Sequence, residues 1–205
     1  MMTGKKPNIM ADLFIKNIPN LLTLLNMLTG LTVLYLNVGE VRQDYKVLSY
    51  TLILIAVMLD AVDGMAARLL GAESEFGKQL DSFADLVSFG IAPIVVLLEV
   101  LPIHSRPGIL LVLLFYPIAG AFRLARYNLT DDSSYFTGLP ITAAGFIQAS
   151  FGLFINSRFR FFPGWAVGQT VLLTALLSAM MIGNFKVGRI IFHPIQSKSS
   201  QNARP

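Results

Sequence analysis

The chain has 205 residues, of which 54% are apolar and only 14% charged, with a mean hydropathy of +0.63. Soluble chains carry about 25% charged residues, so a water-facing globule, a disordered segment and a collagen-like chain are excluded, and the absence of cysteine removes disulfides, thiol catalysis and Cys-ligated zinc. The net charge of +4 comes from basic residues spread between hydrophobic runs; that pattern fits membrane topology rather than nucleic-acid binding.

Runs of about 20 apolar residues mark candidate spanning helices. The head, Met1 to Lys16, carries Lys5, Lys6 and Lys16. It also holds a short apolar stretch, Ile9 to Ile15, suited to lie in the membrane surface. No small-residue cleavage site follows the first run, so an uncleaved first span is expected. Six spans follow in order: Ile18–Leu36, Val47–Leu69, Leu80–Val100, Gly108–Leu124, Gly138–Ile155 and Trp165–Gly183. The expected organisation is a juxtamembrane segment over 1–17, a membrane domain over 18–186 and a polar tail over 187–205. No internal repeat suggests a two-halved transporter.

Basic residues favour the cytoplasmic side. With the N-terminus inside, that side holds Lys5, Lys6, Lys16, Arg68, Lys78, Arg123, Arg126, Lys186, Arg189, Lys198 and Arg204. The other side holds Arg42, Lys46, Arg106, Arg158 and Arg160. An N-in, C-in, all-α integral membrane protein is therefore expected.

The second and third spans carry carboxylates where lipid should be. Asp60 and Asp63 stand three apart, and Asp81 and Asp85 four apart, so each pair lies on one helix face. A short connection makes the two helices antiparallel neighbours, and four carboxylates can converge. An ionised Asp in a spanning helix costs roughly 2.5–3.5 kcal/mol even on the lenient insertion scale. Divalent cations relieve both that cost and the mutual repulsion, and all-oxygen ligands suit Mg²⁺ or Mn²⁺ rather than zinc. Two such ions would clamp a phosphoryl group and activate a hydroxyl. Gly64 and Ala67 share the carboxylate face and leave room for a ligand, and Arg68 adds a fork suited to phosphate. Gly77, one turn before Asp81, keeps the same approach clear. Interhelical ion pairing would explain one such Asp, but not four at helical spacing flanked by Gly, Ala and Arg.

These residues form Asp60-x2-Asp63-Gly64-x2-Ala67-Arg68-x8-Gly77-x3-Asp81-x3-Asp85. The run resembles, without a gap, the signature of the CDP-alcohol phosphotransferases. The resemblance implies a six-helix bundle with a two-metal site open to the cytoplasm, which moves a substituted phosphate from a CDP-linked donor to an alcohol and releases CMP. Carried over by position, Asp60, Asp63, Asp81 and Asp85 are metal ligands and Asp85 is also the general base. Asp63, Gly64, Ala67, Arg68 and Gly77 are the cytidine-diphosphate cradle. Three further stretches resemble the phosphatidylserine synthase branch: Ile18 to Asn26 with Gly30, Phe122 to Asn128, and Gly138 to Ala144. The end of the last span, Met180 to Lys186, resembles it loosely. One departure is Thr142, where that branch usually has a second proline. The branch implies CDP-diacylglycerol as donor, L-serine as acceptor, a cell-membrane location and a homodimer.

Arg123 and Arg126 lie one turn apart at the inner end of the fourth span, with Asn128 just beyond. They suit serine's carboxylate or the donor's phosphate equally. Asn20 and Thr23 share a face near the start of the first span, where they either cap that helix or reach the donor nucleotide. Gly30 and the Gly138–Gly145 stretch read as close helix packing, and Trp165 as an interfacial anchor. His104 and His193 carry no assigned chemistry. Glycerol 3-phosphate and inositol phosphate are the competing acceptors, although a phosphorylated acceptor would call for a denser basic patch. From another class, a cation-coupled transporter would also place carboxylates in the membrane.

Overall fold

A computed structural model of the chain describes residues 9–38, 45–102, 106–129, 135–159, 162–184 and 186–188. Seven α-helices account for nearly all of them: α1 (Ile9–Leu36), α2 (Tyr45–Leu70), α3 (Glu75–Asp85), α4 (Ala92–Val100), α5 (Pro107–Leu129), α6 (Ile141–Arg158) and α7 (Gly164–Ile182). Five segments are long and apolar enough to cross a membrane: Lys16–Leu36, Tyr45–Leu70, Glu75–Val100, Pro107–Leu129 and Gly164–Ile182. Their outward faces present Leu25, Leu28, Ile118, Leu172 and Leu176, an apolar coat suited to lipid. This is an all-helical integral membrane protein.

The expected fifth span, Gly138–Ile155, corresponds to helix α6, which has only 18 residues and is not among those five. Gln148, fully buried, and Asn156 dilute its apolar character. The expected surface stretch Ile9–Ile15 continues into α1 without a break, and its side chains lie outside the described residues. His104, His193, most of the polar tail, Lys5 and Lys6 also lie outside them.

The third span differs from the expected single helix. Between α3 and α4 the chain widens into a π turn over Leu86–Ile91, closed by the Ala92 amide donating to the Val87 carbonyl five residues back. The turn ends where Pro93 opens α4. Proline has no N–H to bond the carbonyl four residues back, and its ring would strike that carbonyl, so the wider register comes immediately before it. Ser88 packs so closely on α1 that a Cβ at Gly30 would lie 2.5 Å from its hydroxyl oxygen. Gly145 on α6 makes a similar approach to Phe89, and Gly152 faces the ring of Tyr50. The glycines of the first and fifth spans are therefore packing sites.

The α2–α3 connection is only four residues long, and three of them are tied to the flanking helices. Gly71 takes the left-handed conformation (φ +57°), its amide bonding Arg68 O at 3.4 Å while the Ala72 amide bonds Ala67 O at 3.0 Å. That pattern is a glycine helix stop. Ser74 then caps α3, its hydroxyl accepting from the Gly77 amide at 3.0 Å. A stop and a start back to back fold α3 against α2 and fix the level of their carboxylates. At the same end of the bundle, two three-residue strands, β1 (Tyr135–Thr137) and β2 (Lys186–Gly188), pair antiparallel. Gly138, at φ +76°, fits beneath the carbonyls of Met180, Met181 and Gly183.

Candidate active site

Asp60 and Asp63 sit near the end of α2, and Asp81 and Asp85 in the second half of α3. Asp60, Asp63 and Asp81 each offer a carboxylate oxygen, all within 4.8 Å of one another. Asp85 lies deeper, 7% exposed, in contact with the Asp60 carboxyl. The four side chains thus occupy one volume, as their spacing predicts. Asp63 is only 3% exposed, and its Oδ2, like Asp85 Oδ1, has no hydrogen-bond partner among the described residues. Buried acceptor oxygens without donors are rare. Clustered carboxylates with unbonded oxygens fit the donor set that a hard divalent cation requires, so the residues present suit the metal that the sequence implies.

A cavity of about 550 Å³ opens beside the cluster. Asp63 and Asp81 form its inner wall. Gly64, Ala67 and Arg68 of α2, Gly77 of α3, and Asn20 and Thr23 of α1 also line it, with Glu73 and Glu75 at the α2–α3 turn. The five residues expected at the donor cradle, together with Asn20 and Thr23, therefore line the same space. Gly64 leaves its side of the cavity open, for a Cβ there would meet nothing nearer than Arg68 Nη1 at 3.9 Å. Gly77 is needed for a different reason. A Cβ would lie 3.0 Å from Asn20 Oδ1 and 3.1 Å from Ser74 Oγ, so its absence lets α1 approach α3. Thr23 lies beside the Asp63 carboxylate while its hydroxyl donates to Pro19 O at 3.0 Å.

Lys78 and Tyr127 also line the cavity, and neither was singled out from sequence. The Lys78 ammonium stands 5.7 Å from the centre of the Tyr127 ring, a cation–π distance. Their signal was Lys78 directly after Gly77 in the motif, and Tyr127 between Arg126 and Asn128. Thr142, in the first turn of α6, places its hydroxyl beside Asp60.

The α5 residues part company. Arg123 is buried, 8% exposed, within electrostatic reach of Asp85, and its Nε is unbonded among the described residues. Arg126 reaches the end of α7 instead, where Nη1 donates to Asn184 Oδ1 at 2.7 Å and Ile182 O at 3.2 Å. Its Nη2 donates to Gly183 O at 3.4 Å. A cation on the last carbonyls of a helix satisfies acceptors that have no other donor. Asn128 donates to Ser82 Oγ at 2.9 Å and ties α5 to α3 one residue past Asp81. Among the described residues Trp165 is half-exposed at the start of α7, edge-on to Phe159 at 5.8 Å.

Fold and site together define an integral membrane protein whose buried acidic cluster opens into a polar cavity at one end of a helical bundle. Residues 16–182 match the family described as CDP-alcohol phosphatidyltransferase, and the chain belongs to that family. It is 36% identical over 156 residues to a CDP-diacylglycerol–serine O-phosphatidyltransferase of Mycobacterium leprae, covering 72% of this chain and 49% of that protein. Proteins of the same name from Methanocaldococcus jannaschii and Bacillus subtilis are 36% and 38% identical, over 68% and 62% of this chain and 62% and 71% of theirs. The chain thus spans about half the length of the first relative and under two thirds of the second.

Proposed function

We propose that this chain transfers the phosphatidyl group of CDP-diacylglycerol to the hydroxyl of L-serine, giving phosphatidylserine and CMP. The observation that carries the reading is the meeting of the acidic cluster and the five cradle residues, with Asn20 and Thr23, at one cavity, in a chain whose relatives are named for that reaction. Asp60, Asp63, Asp81 and Asp85 would hold two Mg²⁺ or Mn²⁺ ions, which neutralise phosphate charge and lower the pKa of an attacking hydroxyl when bound. Arg68 and Lys78 at the cavity wall hold donor phosphate oxygens, and Gly64 and Ala67 let the nucleotide lie against α2. Asn20 and Thr23 reach it from α1. The acyl chains stay in the bilayer.

Arg123 is the cation assigned to serine's carboxylate or the donor phosphate, since it is buried within electrostatic reach of the acidic cluster. Arg126 and Asn128 hold the wall behind it. Asp85 takes the proton of the serine hydroxyl. The serine oxygen bonds to the phosphorus that carries diacylglycerol, the bond from that phosphorus to the CMP oxygen breaks, and CMP leaves as the phosphate monoester. Positioning and charge neutralisation supply most of the rate, as in other phosphoryl transfers.

In this reading α6 also crosses the membrane, which makes six crossings. Both ends of the chain and the cavity face the cytoplasm, the protein sits in the cell membrane, and two copies form a homodimer. The test is an acceptor panel with purified protein and CDP-diacylglycerol: serine, glycerol 3-phosphate, inositol phosphate and inositol. CMP release that requires serine and Mg²⁺ or Mn²⁺ is expected. Release with a phosphorylated acceptor alone would reassign the substrate, and ion flux without CMP would overturn the enzymatic reading.

A further inference from the structure

The face of α1 that packs inward runs Pro19, Thr23, Asn26, Gly30, Val33. Thr23 borders the cavity beside Asp63, and Gly30 abuts Ser88 of the π turn. Asn26 lies between them, one turn beneath the cavity wall, and is completely buried. Neither end of its amide, Nδ2 or Oδ1, has a hydrogen-bond partner among the described residues. Ser88 does bond to Asn26, but to its backbone carbonyl, at 3.0 Å. The side chain therefore plays no part in that helix contact. A primary amide buried in a membrane bundle with both ends unbonded is costly, and such groups call for an explanation.

Direction supplies one. Side chains on an α-helix lean toward its N-terminus, and the N-terminal half of α1 is the half at the cavity. The Asn26 amide is thus tipped toward the level of Thr23 and Asp63. Ser88, which touches the Asn26 backbone, lies only three residues after Asp85. On this side of the cluster the two buried carboxylate oxygens, Asp63 Oδ2 and Asp85 Oδ1, likewise have no donor among the described residues. The cluster thus holds buried acceptors without a donor, and one turn along α1 from Thr23 stands a buried amide without an acceptor.

We propose that Asn26 is the floor of the acidic cluster, a positioning residue whose amide orients the Asp63 and Asp85 carboxylates for divalent cations. The proposal rests on the cation reading given above. A neutral amide suits this place, because it donates to a carboxylate without competing with a cation for charge. It acts through those ligands and not on the substrate.

The test measures Mn²⁺ alone binding to purified full-length protein in detergent, by loss of the free-ion electron paramagnetic resonance signal, alongside thermal unfolding without metal. Asn26→Leu keeps the branching and removes both polar atoms. It is expected to melt no lower than the parent and to bind Mn²⁺ about tenfold more weakly, the lower end of what loss of a ligand-orienting partner costs. A dissociation constant within twofold of the parent overturns the proposal, whatever happens to the melting temperature. Should the leucine variant not fold, Asn26→Ala carries the test: it removes the amide without adding bulk or charge, Mn²⁺ binding about tenfold weaker is expected, and a dissociation constant within twofold of the parent overturns the proposal. A parent protein that binds no Mn²⁺ would instead remove the cation reading on which the proposal stands.

Discussion

Gly77→Ala separates a site role from a stability role within one residue. Gly77 is the third residue of α3, and its amide donates to the Ser74 cap. Alanine is favoured over glycine in a helix by about 0.8–1.0 kcal/mol, so the substitution gains something locally. The new Cβ would stand 3.1 Å from Ser74 Oγ and 3.0 Å from Asn20 Oδ1, and both must yield by a few tenths of an ångström. Loosening a cap costs about 1 kcal/mol. The two local effects offset, and for a chain of this size the melting temperature should stay within about 4 °C of the parent. Donor binding should not survive as well. Asn20 borders the cavity, and displacing it from a ligand hydrogen bond costs about 1 kcal/mol, or about fivefold in the KM for CDP-diacylglycerol. The assay is CMP release in mixed micelles at saturating serine and Mn²⁺, beside a melting curve. A KM within twofold of the parent would refute the account of Gly77 as the point where α1 and α3 close on the donor.

Other substitutions address the remaining parts of the site. Asp85→Asn should lower turnover by about 10²–10⁴-fold, the usual contribution of a general base, with the fold kept; near-normal turnover removes the base assignment. Arg126→Ala should lower the melting temperature by about 4–8 °C, the equivalent of about 2 kcal/mol for bonds from a charged donor, while the KM for serine stays within twofold. Arg123→Ala should do the reverse, raising a substrate KM about tenfold or more with little change in melting. If the two arginines exchange these behaviours, their assignments are reversed. Thr142→Val removes the hydroxyl beside Asp60 and should raise the Mn²⁺ concentration for half-maximal activity about tenfold, with Thr142→Ser near the parent.

Most of the site was readable because helical spacing is a geometric statement. Three- and four-residue separations place Asp60 with Asp63, and Asp81 with Asp85, on single faces. A four-residue stop-and-start turn then leaves the two helices little choice but to meet. Asn20 and Thr23 were harder to place, since their spacing fits a helix cap as well as a ligand wall; α1 begins at Ile9, so neither caps it, and both line the cavity. Arg123 and Arg126 look equivalent as residues one turn apart, yet a turn of 3.6 residues rotates them enough that one is buried within electrostatic reach of Asp85 and the other meets the end of α7. Nothing in the local sequence announces where α7 ends relative to α5. The π turn was signalled by Pro93, which forbids an α-helical carbonyl four residues back, but apolar periodicity alone registers only an uninterrupted run. Asn26 passed as part of a family-like stretch; its unbonded amide becomes visible only once its neighbours are in place.

The central claim is that two neighbouring helices bring four acidic side chains around shared cations. An anomalous difference map from crystals grown with Mn²⁺ tests it most directly. The account predicts two peaks about 3.5–4 Å apart, held among Asp60, Asp63, Asp81 and Asp85, with at least one carboxylate bridging both. Peaks elsewhere in the molecule, or a cluster that binds nothing while the protein turns over, would contradict it.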